Sequence, residues 1–258
     1  MANLENIEFN NDEFNCVVEN GVAVLTVKGN AFKSIATLDR NLDIIPWFGD
    51  VEKSADVRGI LVLNEKDAMS ENAYVEFLQE IVGDEFDPQN PKDISRFVKD
   101  EIRAREINIL DNLIRKLVNF HKIIITGING DIVSPFFGLA LAADFRFASS
   151  NSNFVLSHIK YRLHPSGALP FFLPLYLCQS KVTEILFRTE KLTAQELKEL
   201  GLVHEVFNEQ EFIQKAKAEA AEICKVSLNV VHGTKKLLYG YRKDLEDYLN
   251  IESEFMMR

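Results

Sequence analysis

Two histidines and one aspartate in the middle of the chain are the residue types best suited to moving protons. Asp131 follows the turn pair Asn129-Gly130, and His158 and His164 come in the segment after it. An imidazole can take or give a proton near neutral pH. Asp131 lies on the side of the turn where a pocket is expected. This grouping predicts general acid–base chemistry on a small molecule.

Each of these residues also has a purely structural interpretation, which the sequence leaves open. His158, in the run Ser-His-Ile-Lys-Tyr, can equally be a hydrogen-bonded structural histidine, and His164 can be an ordinary loop residue. Asp131 can simply be part of the turn, because Asn-Gly-Asp is common turn composition.

A compact run of predicted elements between Ile123 and Leu173 must position these side chains. In a strand–turn–helix unit the start of a helix packs beside the end of a strand, and free backbone N–H groups there can meet a developing negative charge. The apolar pattern predicts a strand at Ile123–Ile125, a helix at Phe136–Ala143, a strand at Phe145–Ala148, a loop at Ser149–Asn153 and an extended piece at Phe154–Leu156.

The rest of the chain mixes predicted strands and helices, which implies crossover connections and an α/β arrangement. The remaining strands are expected at Asn15–Val18, Val22–Val27, Val57–Leu63 and Leu202–Val206, with loops at Asn64–Tyr74 and Gly83–Pro91. The remaining helices are expected at Leu38–Phe48, Asp93–Phe120, Leu175–Phe187, Ala194–Leu200, Glu211–Lys225 and from Leu228 to the C-terminus. Thr193 with Glu196 fits a capping box, and Gly201 suits a left-handed helix end.

Composition excludes several classes of protein. The chain has 258 residues, an apolar fraction of 47% and a formal net charge of −10. Such acidity argues against a nucleic-acid surface, which needs clustered Lys and Arg. The sequence offers neither a signal peptide nor an apolar run long enough for a membrane span, so a cytoplasmic protein is expected. Cys16, Cys178 and Cys224 lack the spacing of a disulfide framework or a zinc site, and no metal is expected.

Five blocks of sequence, in this order, resemble the crotonase (enoyl-CoA hydratase/isomerase) superfamily: VAVLTV, DVRGILVL, KIIITGINGD…GLALAADFRFAS, LTAQELKELGLVHEVF and SLNVVHGTKKLL. The resemblance implies a crotonase-like spiral of ββα repeats at residues 1–190, followed by a C-terminal helical region at 191–258 that forms trimers or hexamers. It implies an acyl thioester substrate, carried on coenzyme A or a carrier protein, and no further cofactor.

The same resemblance implies where an enolate would be held by two backbone N–H groups. The first donor falls at Glu71, Asn72 and Ala73. When Asn129-Gly130 and Asp144 are aligned with the family without gaps, the second donor falls at Pro135, which has no N–H. If this register moves by one residue, the donor is Phe136. Removal of such a donor from other enzymes costs about 3 kcal/mol of transition-state stabilisation.

The two carboxylates of the family's hydratases are replaced in this register by Gly138 and His158. By resemblance, Lys28, Lys33 and Lys235 approach the nucleotide of coenzyme A, although each can also be a surface lysine. Phe137, next to Phe136, would narrow the thioester site.

Two functions are compatible with these substitutions. One is an enzyme that isomerises, decarboxylates or cleaves an acyl thioester or β-carbonyl compound, with His158 in place of a carboxylate. The other is a non-catalytic homologue that binds thioesters or assembles with an active relative. A closed cavity filled by phenylalanine would favour the second, and an open one with His158 pointing inward would favour the first.

Overall fold

The computed structural model describes residues 7–35, 44–83, 87, 90, 92–93, 96, 101–240 and 242–256. A large sheet organises this part of the chain. Its strands, in spatial order, are Phe9–Asn10 (β1), Phe14–Glu19 (β2), Val22–Val27 (β3), Gly59–Asn64 (β4), Ile123–Ile128 (β5), Phe145–Ser149 (β7) and Glu205–Phe207 (β10). The first two pairs are antiparallel and the others parallel.

A second, smaller sheet lies beside the ends of these strands and carries the candidate site. It joins Ile132–Val133 (β6), Asn153–Val155 (β8) and Lys191–Thr193 (β9). β6 follows β5 and β8 follows β7, so successive turns of the chain add one strand to each sheet. This arrangement, together with the helices, is the predicted spiral of ββα repeats.

The helices cover both faces of the large sheet. They are Ile44–Lys53 (α1), Glu71–Val82 (α2), Glu101–Asn119 (α3), Ser134–Leu141 (α4), Leu169–Tyr176 (α5), Gln179–Arg188 (α6), Ala194–Glu199 (α7), Phe212–Ile223 (α8), Leu228–Leu238 (α9) and Arg242–Met256 (α10). Residues 31–35 are also helical. Within the described residues, no helix combines the length and apolar character needed to cross a membrane.

Several sequence predictions are confirmed at the level of local chemistry. Asn20 and Gly21 have φ of 51° and 76° and connect the paired residues Glu19 and Val22, so the first hairpin closes through a two-residue turn with both φ positive. Thr193 and Glu196 form the predicted capping box at α7. Gly201 has φ of 73°, as expected of a left-handed helix end.

Two predictions of element boundaries are wrong. The polar stretch Asn64–Tyr74 is not all loop, because α2 begins at Glu71 with Ser70 as its N-cap. The expected helix Leu175–Phe187 is two helices, since α5 ends at Tyr176 two residues after Pro174 and a new helix begins beyond Cys178.

Other boundaries shift less. The strand expected at Leu202–Val206 lies at Glu205–Phe207, and the C-terminal helical run breaks between Leu238 and Arg242. The predicted helices Leu38–Phe48 and Asp93–Phe120 fall partly outside the described residues. Their described parts are helical from Ile44 and from Glu101.

Residues after 190 contribute to both sheets through β9 and β10. α8 covers one face of the large sheet in a second core, with Phe212, Ala216 and Ala220 against strand residues. The main core lies on the other face, between the sheet and α1, α3 and α4.

Candidate functional site

The N-terminus of α4 is the centre of the candidate site. Val133 is its N-cap and offers no side-chain hydrogen bond, and Pro135 lies in its first turn. Proline is tolerated there because the first N–H groups of a helix have no intrahelical acceptor. The helix therefore begins readily at Ser134, yet residue 135 contributes no N–H group to a bound anion.

Gly138, one turn further along α4, packs directly on the loop before α5. A Cβ at residue 138 would collide with the carbonyl of Gly167 and approach the backbone N of Leu169 to 2.9 Å. A Cβ at Gly167 would in turn collide with the carbonyl of Pro135. The two backbones thus occupy the space into which a longer side chain at residue 138 would have to extend.

His158 is buried, and both of its ring nitrogens have partners. Nδ1 lies 3.2 Å from Ser134 Oγ, and Nε2 lies 3.0 Å from the carbonyl oxygen of Leu186. Burial lowers the pKa of His158, which the Leu186 carbonyl partly opposes and nearby His164 reinforces. The imidazole is accordingly neutral near pH 7.

A small cavity of about 20 Å³ is lined by both His158 and the exposed His164. The His164 ring lies beside Phe255 of α10, with 6.1 Å between ring centroids. Arg103 also lines this cavity and forms a buried ion pair with Glu106, at 2.6 Å. The structure therefore brings the two predicted histidines to one cavity.

Asp131 lies apart from that cavity. Its Oδ1 accepts a hydrogen bond from Asn153 Nδ2 at 2.6 Å, and its backbone N–H donates to Asp67 Oδ1 at 3.1 Å. Both contacts hold the turn after β5, one against the start of β8 and the other against the loop before α2. Through the first, the Asp131 carboxylate takes part in the packing of this turn.

The predicted first donor lies at the start of α2. The backbone N–H of Ala73 donates to the N-cap hydroxyl of Ser70 at 3.2 Å, and Asn72 is exposed. Helix α2 begins here because a serine satisfies one of its first N–H groups. The Ala73 N–H is consequently engaged within the fold.

Aromatic rings fill the space between Ala73 and the first turn of α4. Phe32 is fully buried, with its ring centroid 4.7 Å from that of Phe136 and 4.8 Å from that of Tyr74. Phe77 stacks on Phe32, at 5.6 Å between ring centroids. Phe32 thus packs between Tyr74, which follows the first predicted donor, and Phe136, the alternative second donor.

An apolar cavity of about 100 Å³ lies on the other side of α4, beneath the large sheet. Phe136, Leu139 and Ala140 of α4 form one wall, and Met69, from the loop before α2, forms part of another. Most of the other lining residues are aliphatic or aromatic. Such a cavity suits a hydrocarbon group.

Three further residues that were predicted to contact the substrate have partners within the protein. Phe137 is fully buried and stacks on Phe154, at 4.1 Å between ring centroids. Lys28 Nζ donates to Asn10 Oδ1 at 2.6 Å. Lys33 pairs with Glu80 at 3.0 Å on the surface.

Lys235 departs from the sequence-based interpretation, because it is buried. Its Nζ lies 2.6 Å from Asp144 Oδ2 and donates to the carbonyl of Lys122 at 2.9 Å. The charge of Lys235 is therefore compensated inside the protein, where it fastens α9 to the strand that begins at Phe145.

Sequence reasoning missed two features of this site. The Ser134–His158 contact joins residues far apart in the chain, and only the position of Ser134 before Pro135 marked it. The Gly138–Gly167 contact is indicated in the sequence only by a glycine inside a short predicted helix, which often marks close packing.

Comparison with known proteins agrees with this architecture. The family model described as enoyl-CoA hydratase/isomerase matches residues 93–257. This chain belongs to the enoyl-CoA hydratase/isomerase family. It is 26% identical over 238 residues to a protein of Arabidopsis thaliana named probable enoyl-CoA hydratase 1, peroxisomal, covering 91% of this chain and 81% of that relative.

A second relative matches over a shorter span. A protein of Mycobacterium tuberculosis named probable enoyl-CoA hydratase echA12 is 30% identical over 137 residues, which is 53% of this chain and 48% of that relative. Among solved structures, enoyl-CoA hydratase from Bacillus halodurans superposes with a TM-score of 0.72 at 16% identity, covering 95% of this chain and 93% of that one. This likeness supports the fold.

Proposed function

We propose that this member of the enoyl-CoA hydratase/isomerase family binds acyl thioesters, of coenzyme A or of a carrier protein, and does not hydrate them. The contact of Gly138 with Gly167 carries the proposal. In the family register residue 138 would supply a carboxylate, and the backbone of the loop before α5 fills the space that this carboxylate would need.

The backbone donor and the two carboxylates that this chain lacks would each lower the activation barrier to hydration considerably. A missing backbone donor at Pro135 costs about 3 kcal/mol. Acid–base assistance contributes about 100- to 10,000-fold, and neither family carboxylate is present. Even partial addition of these terms slows hydration by several orders of magnitude.

The apolar cavity supports retention of acyl binding. It lies beside Phe136, next to the position where the family register places the thioester carbonyl, and its largely apolar lining favours a hydrocarbon group. Free coenzyme A, which lacks that group, should bind more weakly than an acyl-CoA.

The packed aromatic rings around Phe32 favour a protein that does not form an enolate over an enzyme that isomerises, decarboxylates or cleaves its substrate. An isomerase or C–C lyase that uses His158 on an enolate would need its imidazole to face the acyl group. The imidazole instead contacts Ser134 Oγ and the Leu186 carbonyl, and it does not line the apolar cavity. A location in the cytoplasm stays a prediction.

We also propose that the chain assembles with further copies of itself, as a trimer or a pair of trimers. Large apolar side chains on α9 and α6 support this, since Leu237, Leu238 and Phe187 are exposed by 86%, 67% and 72%. Exposed apolar side chains that lie close together are characteristic of association sites, and Leu237 and Leu238 are adjacent in the chain.

The test combines a crotonyl-CoA hydration assay with a thermal-shift series of acyl-CoA species and free coenzyme A. We expect no measurable hydration, and a shift that grows with chain length and then declines as the cavity is filled. A ligand at 100 times its dissociation constant stabilises by about 2.7 kcal/mol. Turnover near 10 per second, a usual order for enzymes, would refute the proposal.

A variant that fills the cavity makes the binding test specific. Ala140→Met places extra volume into the cavity wall, so it should abolish the acyl-dependent shift. Ala221→Met, on half-buried α8, is the matched control and should keep that shift. Equal shifts in the two variants would place the acyl group elsewhere.

A further inference from the structure

A hydroxyl, an imidazole and a carbonyl form a chain of hydrogen bonds, and the residues of the first two, Ser134 and His158, line the small cavity. Ser134 Oγ is 3.2 Å from His158 Nδ1, and His158 Nε2 is 3.0 Å from the Leu186 carbonyl oxygen. A carbonyl oxygen can only accept a hydrogen bond, so Nε2 carries the ring proton. Nδ1 therefore presents its lone pair to Ser134, whose hydroxyl donates to it.

We propose that Ser134 is a nucleophile that takes an acyl group from a small activated ester or thioester, with His158 as its general base. A nucleophile within hydrogen-bonding reach of a base, which a third group orients, is the arrangement that activates a weakly acidic hydroxyl. The Leu186 carbonyl is the orienting group. This reaction needs no enolate, so it goes beyond the binding function proposed above.

The reaction balances as an acyl transfer followed by hydrolysis. Ser134 Oγ attacks the acyl carbonyl carbon while its proton moves to His158 Nδ1. The bond from that carbon to the leaving sulfur or oxygen then breaks, and the leaving group takes the proton from Nδ1. In the second half a water molecule attacks the Ser134 ester through the same base and releases the carboxylic acid.

The start of α4 can stabilise the negative oxygen that forms in both halves. Ser134 is the first residue of this helix, so an acyl carbon on its Oγ would lie at the positive end of the helix dipole. The N–H of Phe136 has no acceptor within α4, whereas Pro135 has none to give. The buried guanidinium of Arg103 lines the same cavity.

The protonation state of His158 suits its proposed role as a general base. Burial lowers its pKa, so the ring is unprotonated at neutral pH and ready to receive the serine proton. Exposed His164 also lines this cavity, so a leaving group on that side would reach solvent. Its volume of about 20 Å³, against about 100 Å³ for the apolar cavity, excludes a long acyl chain, so acetyl is the group to test.

The experiment uses the full-length protein with p-nitrophenyl acetate and with acetyl-CoA, followed by intact-mass measurement and peptide mapping. We expect one acetyl group, located on Ser134, and its release on standing. Ser134→Ala should abolish this label, and His158→Gln should slow acylation by about 100- to 10,000-fold. The acylation rate should rise with pH and level off below the pH at which an ordinary histidine titrates.

Exposed Cys178 is the competing acyl acceptor, and it provides the control. Cys178→Ala should leave acetylation of Ser134 unchanged. If Ser134→Ala or His158→Gln fails to fold, a fluorophosphonate probe is applied to the wild-type protein instead. Because this probe reacts preferentially with an activated serine, we expect it to modify Ser134. An acetyl group found only on Cys178 or lysines, an unlabelled Ser134, or a folded His158→Gln protein that acylates at the wild-type rate would each overturn the proposal.

These outcomes are separate from those of the binding function. Absence of an acetyl-enzyme leaves the acyl-length series and the hydration assay unaffected. Hydration of crotonyl-CoA would refute the proposed absence of hydration without bearing on Ser134.

Discussion

Gly138 of α4 lies against the carbonyl of Gly167, so close that no side chain fits at residue 138 without movement of the backbone. In the family register this residue would carry a catalytic carboxylate. The substitution is therefore coupled to the path of the loop before α5. A single reversion to glutamate cannot restore the family chemistry, because the space for it is filled.

The first prediction concerns this contact. Gly138→Ala should lower the free energy of unfolding by about 1–3 kcal/mol, the usual cost of overpacking a close contact. Urea denaturation of purified protein measures it. Gly233→Ala is the matched control, because residue 233 is an exposed helical glycine whose Cβ would meet nothing within 4 Å.

The control should behave in the opposite way. Alanine is favoured over glycine inside a helix by about 0.5–1 kcal/mol, so Gly233→Ala should stabilise slightly. A Gly138→Ala protein as stable as the wild type would show that the loop before α5 yields easily, and the closed-site argument would fail.

The sequence predicts interactions between residues that are close together in the chain better than interactions between distant ones. The hairpin turn at Asn20-Gly21 and the capping box at Thr193 are local, and both are confirmed. The family resemblance supplied the topology. The start of α2 at Glu71 was missed although it depends on a local cap, because the polar composition around it is typical of loops.

The site was less predictable, because its decisive contacts join distant residues. The sequence marked His158 and Pro135 but could not show that Leu186 orients the imidazole. It also could not show that Phe32 fills the space next to Phe136. Lys235 was interpreted as a contact to coenzyme A or else a surface lysine, since nothing near it in sequence reveals that Asp144 compensates its charge.

The second prediction concerns pH and the carboxyl group of Glu252 in α10. Burial raises the pKa of Glu252 to about 8, with the neighbouring Asp111 carboxylate acting in the same direction. Glu252 accepts a hydrogen bond from the Ala168 N–H at 3.0 Å, which partly opposes the increase. The pKa of Asp111 is also raised by burial.

The direction in which stability changes with pH follows from the number of protons that the folded and unfolded states bind. Below its ordinary pKa of 4.5 the Glu252 carboxyl is protonated in both states. Between there and about 8 only the unfolded chain loses the proton, so the free energy of unfolding should fall with rising pH by up to about 1.4 kcal/mol per unit. Above that range the effect levels off.

Glu252→Gln isolates this effect from the other titrating groups. The amide keeps the shape but does not titrate, so the variant should lose the downward slope over that pH interval. Chemical denaturation at a series of pH values gives the difference between the two proteins. Parallel curves for variant and wild type would mean that Glu252 titrates normally.

The third prediction concerns Lys122, a buried lysine below the large sheet. Its Nζ donates to the carbonyls of Val51, Ser54 and Val57, each within 2.7 Å. The ammonium thus satisfies carbonyl groups at and just after the end of α1, which have few other partners. Burial lowers the pKa of Lys122, and the nearby Glu52 carboxylate partly opposes this decrease.

Lys122→Met keeps the length of the side chain and removes every donor. Loss of a buried charged donor should cost about 3–5 kcal/mol of unfolding free energy. Lys53→Met, at the exposed end of α1, is the control and should change stability by less than about 0.5 kcal/mol. A Lys122→Met protein within that limit would show that water replaces the ammonium.

The last prediction concerns assembly. Leu237 and Leu238 of α9 are exposed by 86% and 67%, and burying such a side chain contributes about 1.5–3 kcal/mol. We expect a trimer or hexamer by sedimentation at micromolar concentration, and a monomer for the double variant Leu237→Glu, Leu238→Glu. Lys236→Glu, an exposed neighbour on the same helix, alters the charge without removing apolar surface and should leave the assembly intact. A monomeric wild-type protein would rule out this interface, and dissociation by Lys236→Glu would mean that charge, rather than burial of the two leucines, controls association.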